Sequence, residues 1–401
     1  MNKKASFFLI GLGFLVTSLF VIGLRARLLE DYHAVGQHAI GLFFPYTFSV
    51  LVTVYLAFTY HKLTLKMMFI PIASFLLTTA MFGDLLFQPV LHYYGDDSWD
   101  YSKFANFIIE KQTLNGGEGP SYIMQPGFRY FLASTILLFG EENRLSQSYF
   151  LFLALLAVLL LIRELCLHVN KLYLPFILLL ILLYSPFTVK NALMTYSEWL
   201  TLVIFIAFIL LFVNRRYSLS LVFIALIVFF RQNTLFISLF LAGYTLHFSR
   251  NKAWDFLLYL SIIFLPVYHN YYYGSVWQWL SSDAANIMLK SDSVIDYLDK
   301  LLFKIVKQIP EYLGVVELDW QSSIFGVFFA PLSVIWILMI AYKHKYLRGK
   351  LALIVILTTA PTFVGGWGSY PRFIYVNLAI ILLSSMVFLF SDSFKNKRSI
   401  A

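Results

Sequence analysis

The sequence predicts an all-α protein, a polytopic transmembrane helical bundle of about twelve spans with surface-lying helices in two outer loops. Three observations predict it. Mean hydropathy is +0.76, and 60% of the 401 residues are hydrophobic against 13% charged, too little polar surface to clothe a soluble fold. Apolar runs of about 20 residues recur along the whole chain, the length a helix needs to cross hydrocarbon. Those runs are continuous rather than alternating, which excludes a β-barrel.

The first run, 5–24, follows Asn2-Lys3-Lys4 in the manner of a signal peptide, but no small-residue cleavage site precedes Arg25, so it reads as an uncleaved span. Further spans are expected over 40–60, 67–90, 146–162, 172–187, 198–213, 217–230, 234–248, 254–269, 322–341, 351–365 and 373–390. More than half of the 30 Lys and Arg then fall on one side, in clusters such as Lys62/Lys66, Arg215/Arg216 and Lys395/Lys397/Arg398. Only Glu164, Asp255 and Asp392 of the 21 acids join them. That side is cytoplasmic by the positive-inside rule, with both termini inside and the acid-rich loops outside a plasma (inner) membrane. The same sorting explains the net charge of +9 without nucleic acid as a partner.

Two segments depart from regular crossings. Residues 217–248 hold two crossings of about 24 Å each at 1.5 Å per residue, short of a ~30 Å core. Either these helices stop below the outer surface around a cavity, or Arg231 lies inside the membrane. Residues 126–139 are apolar but too few to span, and a crossing there would invert every later loop. A helix lying in, or dipping into, the outer face is expected.

Two long outer loops, 91–145 and 270–321, complete a single domain over 1–401 with no internal repeat. In the first, Asp96, Asp97 and Asp100 crowd one short stretch. Tyr101, Phe104, Ala105 and Ile108 then follow at i, i+3, i+4 and i+7, the pattern of an amphipathic helix. Asn115-Gly116-Gly117-Glu118-Gly119-Pro120 ends it as a turn. The second loop opens with the interfacial aromatics Tyr271-Tyr272-Tyr273 and Trp277-Gln278-Trp279. It continues with Val294, Leu298, Leu301, Ile305 and Ile309 on one helical face.

Asp96 and Asp97 could accept a proton from an attacking hydroxyl or hold a divalent cation beside a phosphate. The same residues suit a solvated, N-capping turn. Asp100 and Tyr101 adjoin them as substrate-binding candidates. Arg129, Arg231 and Arg372 are expected near the outer face, with no carboxylate close in sequence, and guanidinium forks match phosphate oxygens. Snorkelling is the alternative for Arg129 and Arg372, and a buried ion pair with Glu198 for Arg231. Glu198 could instead bind acceptor hydroxyls. His92 and His269 are scattered and read as packing residues. Asp84 could line a cavity or bond another helix, and Glu30-Asp31 form the competing acid pair. Cys166, the single cysteine, excludes an internal disulfide and a cysteine metal cluster. With no P-loop or Rossmann glycines, an ATP-driven pump and a transferase drawing on cytosolic nucleotide sugars are both disfavoured.

Asp96-Asp97 with Trp99 and Tyr101 come first. Gln125-Pro126-Gly127-Phe128-Arg129-Tyr130 follows, running into Leu138-Phe139-Gly140-Glu141. Together with Tyr196-Ser197-Glu198 and Phe230-Arg231-Gln232-Asn233, this order resembles the C-type superfamily of integral-membrane glycosyltransferases (GT-C). That group includes protein mannosyltransferase and aminoarabinose transferase. The resemblance covers roughly 90–240. It implies a GT-C-like fold and transfer, with inversion, from a polyprenyl-phosphate sugar donor to a glycan, lipid or protein acceptor on the outer face. Asp96 or Asp97 resembles the catalytic acid and Arg231 the phosphate-binding base. Because two spans precede the one leading to Asp96, where the family has none, Asp31 is the other counterpart. A lipid-linked oligosaccharide polymerase or ligase is the rival among transferases, and a transporter or flippase the rival from another class, although the paired, broken spans of the latter are not evident.

Overall fold

A computed structural model of the protein describes residues 97–114, 126–139, 197–274, 333–364 and 371–398, with scattered positions between 293 and 303. Among the described residues the chain is helical apart from short turns and contains no strand, so the all-α expectation is met there. The expected spans over 5–24, 40–60, 67–90, 146–162 and 172–187 lie outside the described residues. So do Glu30, Asp31, Asp84, His92, Asp96 and Cys166.

The chain divides into two compact units. One comprises Met1–Gln112 and Phe131–Trp199, the other Thr113–Tyr130 and Leu200–Ala401. In the first unit, α1 (Asp97–Lys111) carries the expected amphipathic pattern. Tyr101, Phe104, Ala105 and Ile108 are buried along it, while Lys103, Glu110 and Lys111 are exposed. The 3.6-residue period thus sorts α1 into an inward apolar stripe and a solvated face.

Helix α2 (Pro126–Phe139) opens on a proline, whose missing N–H costs nothing in a first turn. Helix α3 (Ser197–Val213) is apolar nearly throughout. It ends at Asn214-Arg215-Arg216, where Arg215 takes φ 61°, a left-handed conformation more usual for glycine. The Asn214 side chain donates to the Leu210 carbonyl at 2.8 Å, and Arg216 N–H to Leu211 at 2.8 Å, closing the helix end. The polar pair then starts α4 (Tyr217–Phe230).

In the second unit α4 packs against both α5 (Leu235–Phe248) and α6 (Lys252–Ile263). Buried hydroxyls join the three. Ser238 donates its one proton to the Ile224 carbonyl at 2.6 Å, so the Tyr259 hydroxyl donates to Ser238 Oγ at 3.0 Å. Ser249 donates to the Asp255 carboxylate in the first turn of α6, fixing the α5–α6 turn. The expected apolar run 254–269 is broken at Phe264, and α7 (Leu265–Gly274) restarts with Pro266 in its first turn.

A helix through 333–343 (α8) leads by a 3₁₀ turn into α9 (Arg348–Val364), which packs against α10 (Pro371–Arg398) and α5. Trp336 Nε1 donates to Ser385 Oγ at 3.2 Å. The Lys350 ammonium lies 4.9 Å from the Tyr244 ring centroid and 5.4 Å from that of Phe388, clasping α5, α9 and α10 together. Of the second outer loop, Leu298 is exposed, and Lys300 pairs with Asp296 at 2.6 Å, one turn apart.

Helices α4 and α5 have 14 residues each, about 21 Å at 1.5 Å per residue. Among the described residues, no helix is long and apolar enough to cross a membrane.

Two substitutions test this packing. Ser238→Ala strands the buried Tyr259 hydroxyl and should lower stability by about 1–3 kcal/mol. Gly243→Ala, on α5 where an added Cβ meets nothing within 4 Å, should raise it by about 0.5–1 kcal/mol through helix propensity. Thermal melts of the purified variants in detergent measure both.

Candidate functional site

The site is built where the start of α2 meets the end of α4. A Cβ on Gly127 would lie 2.5 Å from Phe229 Cδ1 and 2.8 Å from the Phe229 carbonyl oxygen. No side chain fits there, because the second obstacle is backbone. The glycine therefore lets the Pro126–Tyr130 segment press directly on the last turn of α4. Two elements separated by about 100 residues of sequence become neighbours, and both carry an arginine.

At α4's end Arg231 adopts an extended backbone (φ −148°, ψ 100°), while its N–H still bonds the Ile227 carbonyl at 2.7 Å. Gln232–Thr234 then form a 3₁₀ turn. Thr234 Oγ1 donates to the Arg231 carbonyl at 2.6 Å and its N–H to the same oxygen at 3.1 Å, which closes the reversal into α5. Connections normally run over the surface, where water satisfies their polar groups. Here Arg231, Gln232, Asn233 and Thr234 are all buried, and α9 packs against the turn.

Arg129 is fully buried, the largest side chain so placed among the described residues. Beside it, Tyr130 donates its hydroxyl proton to the Leu114 carbonyl at 3.0 Å. That phenol is also 2.5 Å from His269 Nε2. With its one proton engaged, Tyr130 accepts, and His269 carries the proton on Nε2. Burial pushes the Tyr130 phenol above its usual range, with the nearby Arg129 charge opposing, so it stays a neutral donor at physiological pH. The Tyr130 ring also packs at 6.1 Å from Phe229 and edge-on at 5.6 Å to His269. Arg129 and Arg231 thus lie on backbone segments that meet at the Gly127–Phe229 contact, beside the tilted Tyr130–Phe229 ring pair and the Tyr130–His269 bond.

The other expected site residues distribute as follows. Asp97 opens α1, Asp100 on the same helix is partly exposed, and Tyr101 is buried. Glu198 is buried at the start of α3, where Ser197 Oγ donates to its Oε2 at 3.3 Å. These residues belong to the first unit, and Arg129, Arg231 and Arg372 to the second. Arg372 lies in the first turn of α10. Among the described residues, no group of three or more His, Cys, Asp or Glu is placed to hold a metal.

Sequence reasoning set His269 aside as packing, because nothing local marks a partner 139 residues away. It also passed over Gln232 and Asn233 as sites, although a polar run after an apolar helix was the available signal.

Gly127→Ala should lower stability by about 1–3 kcal/mol, the usual range for overpacking against an unyielding neighbour. A melting experiment alongside Gly243→Ala would show the two Gly→Ala changes moving in opposite directions. An unchanged Gly127→Ala melt would mean that the junction is looser than described.

Comparison with known proteins finds no matching family model, no matching curated protein and no matching solved structure.

Proposed function

We propose that this protein is an integral-membrane glycosyltransferase of GT-C-like architecture. It moves a sugar from a polyprenyl-phosphate carrier to an envelope glycan, lipid or protein acceptor on the extracytoplasmic face. The observation that carries the reading is the α2–α4 junction, which brings two buried arginines, Arg129 and Arg231, to neighbouring backbone segments. In a chain with so few charges, two buried guanidinium groups, one inside α2 and one at the break after α4, favour an anionic ligand, and their forked donors match phosphate oxygens.

Outward-facing apolar side chains support the lipid setting. Trp254 and Leu257 on α6, Tyr268 on α7 and Leu338 on α8 are 69%, 58%, 63% and 63% exposed. Hydrocarbon solvates such surfaces, and water does not.

The mechanism follows from the residues. Asp96 or Asp97 takes the acceptor hydroxyl's proton as its oxygen bonds to the anomeric carbon. The bond from that carbon to the carrier phosphate oxygen breaks, leaving a lipid phosphate with one more negative charge than the donor. Arg231 and Arg129 stabilise that charge as it develops, with Arg372 as a further cation. Glu198, Asp100 and Tyr101 orient the acceptor. A divalent cation on the aspartate pair would add charge neutralisation.

Purified protein in detergent should transfer sugar from a polyprenyl-phosphate donor. Arg231→Ala should lose roughly 2–5 kcal/mol of donor binding, and Arg231→Lys should recover only part. Asp96→Asn or Asp97→Asn should slow turnover about 10²–10⁴-fold with melting unchanged. Equal activity with a nucleotide sugar and no lipid carrier would overturn this mechanism.

A further inference from the structure

The buried turn after α4 holds one side chain that this mechanism does not use. Gln232 is 1% exposed, and among the described residues neither Oε1 nor Nε2 of its carboxamide has a hydrogen-bond partner. Several neighbouring hydroxyls are satisfied. Two residues on, Thr234 bonds the Arg231 carbonyl, and Ser238 bonds the Ile224 carbonyl and the Tyr259 hydroxyl. An amide with both donor and acceptor buried and unused is costly to the empty protein, so its retention calls for an occupant that satisfies both. Helix α9, which packs against the turn, supplies another such group. Thr358 is buried, and its hydroxyl likewise has no hydrogen-bond partner among the described residues.

The chemistry of the amide selects the occupant. A phosphate dianion offers only acceptors and would set its charge against Oε1. A polyprenyl chain offers neither donor nor acceptor. A sugar hydroxyl can donate to Oε1 or accept from Nε2, and two adjacent hydroxyls do both. Arg231 precedes the amide directly in sequence. We infer that Gln232 is a sugar-binding residue: its carboxamide grips hydroxyls of the donor sugar beside the phosphate held by Arg231. This rests on the donor-phosphate reading above. It adds discrimination between the loaded carrier and the spent one, which has lost its hydroxyls and so its hold on Gln232.

The test uses Gln232→Leu, which removes both polar atoms at nearly constant volume. Binding to the purified full chain in detergent is measured for farnesol, farnesyl phosphate, and farnesyl phosphate bearing glucose, mannose or galactose. Wild type should bind at least one glycosylated ligand about tenfold or more tightly than farnesyl phosphate, the scale of one or two hydrogen bonds. Gln232→Leu should erase that preference, with the empty protein melting at or above the wild-type temperature. A preference kept in Gln232→Leu, or a lowered melting temperature with all ligands weakened alike, assigns the amide a structural role and overturns the inference. Wild type binding farnesyl phosphate over farnesol but showing no sugar preference overturns it too, with the donor-phosphate reading intact. Wild type binding no phosphate better than farnesol removes both.

Discussion

The contact between Gly127 and the Phe229 backbone sets the geometry on which the rest of the described site depends. Its closeness fixes where the first turn of α2 sits against the last turn of α4. Tyr130 then packs its ring at a tilt against Phe229 and reaches His269 on α7, and Arg129 is carried into the interior. A larger residue at 127 would push the two helices apart by about the width of a methyl group. Hydrogen bonds weaken steeply once length and angle leave their narrow range, so the phosphate contacts proposed for Arg129 and Arg231 would loosen over that distance. A residue without a side chain thus sets how closely the segments that carry Arg129 and Arg231 approach.

The second constraint is economy of polar groups. Within the second unit most buried hydroxyls are tied off locally: Ser238 to Ile224, Thr245 to Leu241, Ser385 to Leu382. These bonds let polar side chains sit inside an apolar bundle at little cost. Against that background the turn from Arg231 to Thr234 is wholly buried, and its Gln232 carboxamide, like the Thr358 hydroxyl on α9, has no hydrogen-bond partner among the described residues. Strain and unmet hydrogen bonding concentrate where a protein handles ligands, since any other arrangement would be more stable.

Hydropathy made α4 legible to the residue, because Arg215-Arg216 and Arg231 bracket a largely apolar run without charge. The period of Tyr101, Phe104, Ala105 and Ile108 likewise foretold which face of α1 is buried. The break at Phe264 was not legible in the same way. The run across it stays apolar, and only Pro266 hinted that a new helix begins. At the site, motif order suggested that the Pro126–Tyr130 and Phe230–Asn233 elements belong together, but the reason they can touch is the missing side chain of Gly127, which no periodicity reveals. The Tyr130–His269 bond joins residues too far apart in sequence for any local pattern to register.

The packing of α4 with α5 and α6 has a consequence for assembly. These helices are consecutive, so their contacts form over short stretches of chain and close cheaply in entropy as soon as residues 217–263 have been made. The seat for Gly127 is different. Its segment is synthesised about 100 residues before Phe229 exists, and it must wait while the helices between them emerge. The Gly127–Phe229 contact therefore forms only after α4 has been made. A nascent chain carries the Pro126–Tyr130 segment without its seat across about 100 residues of synthesis.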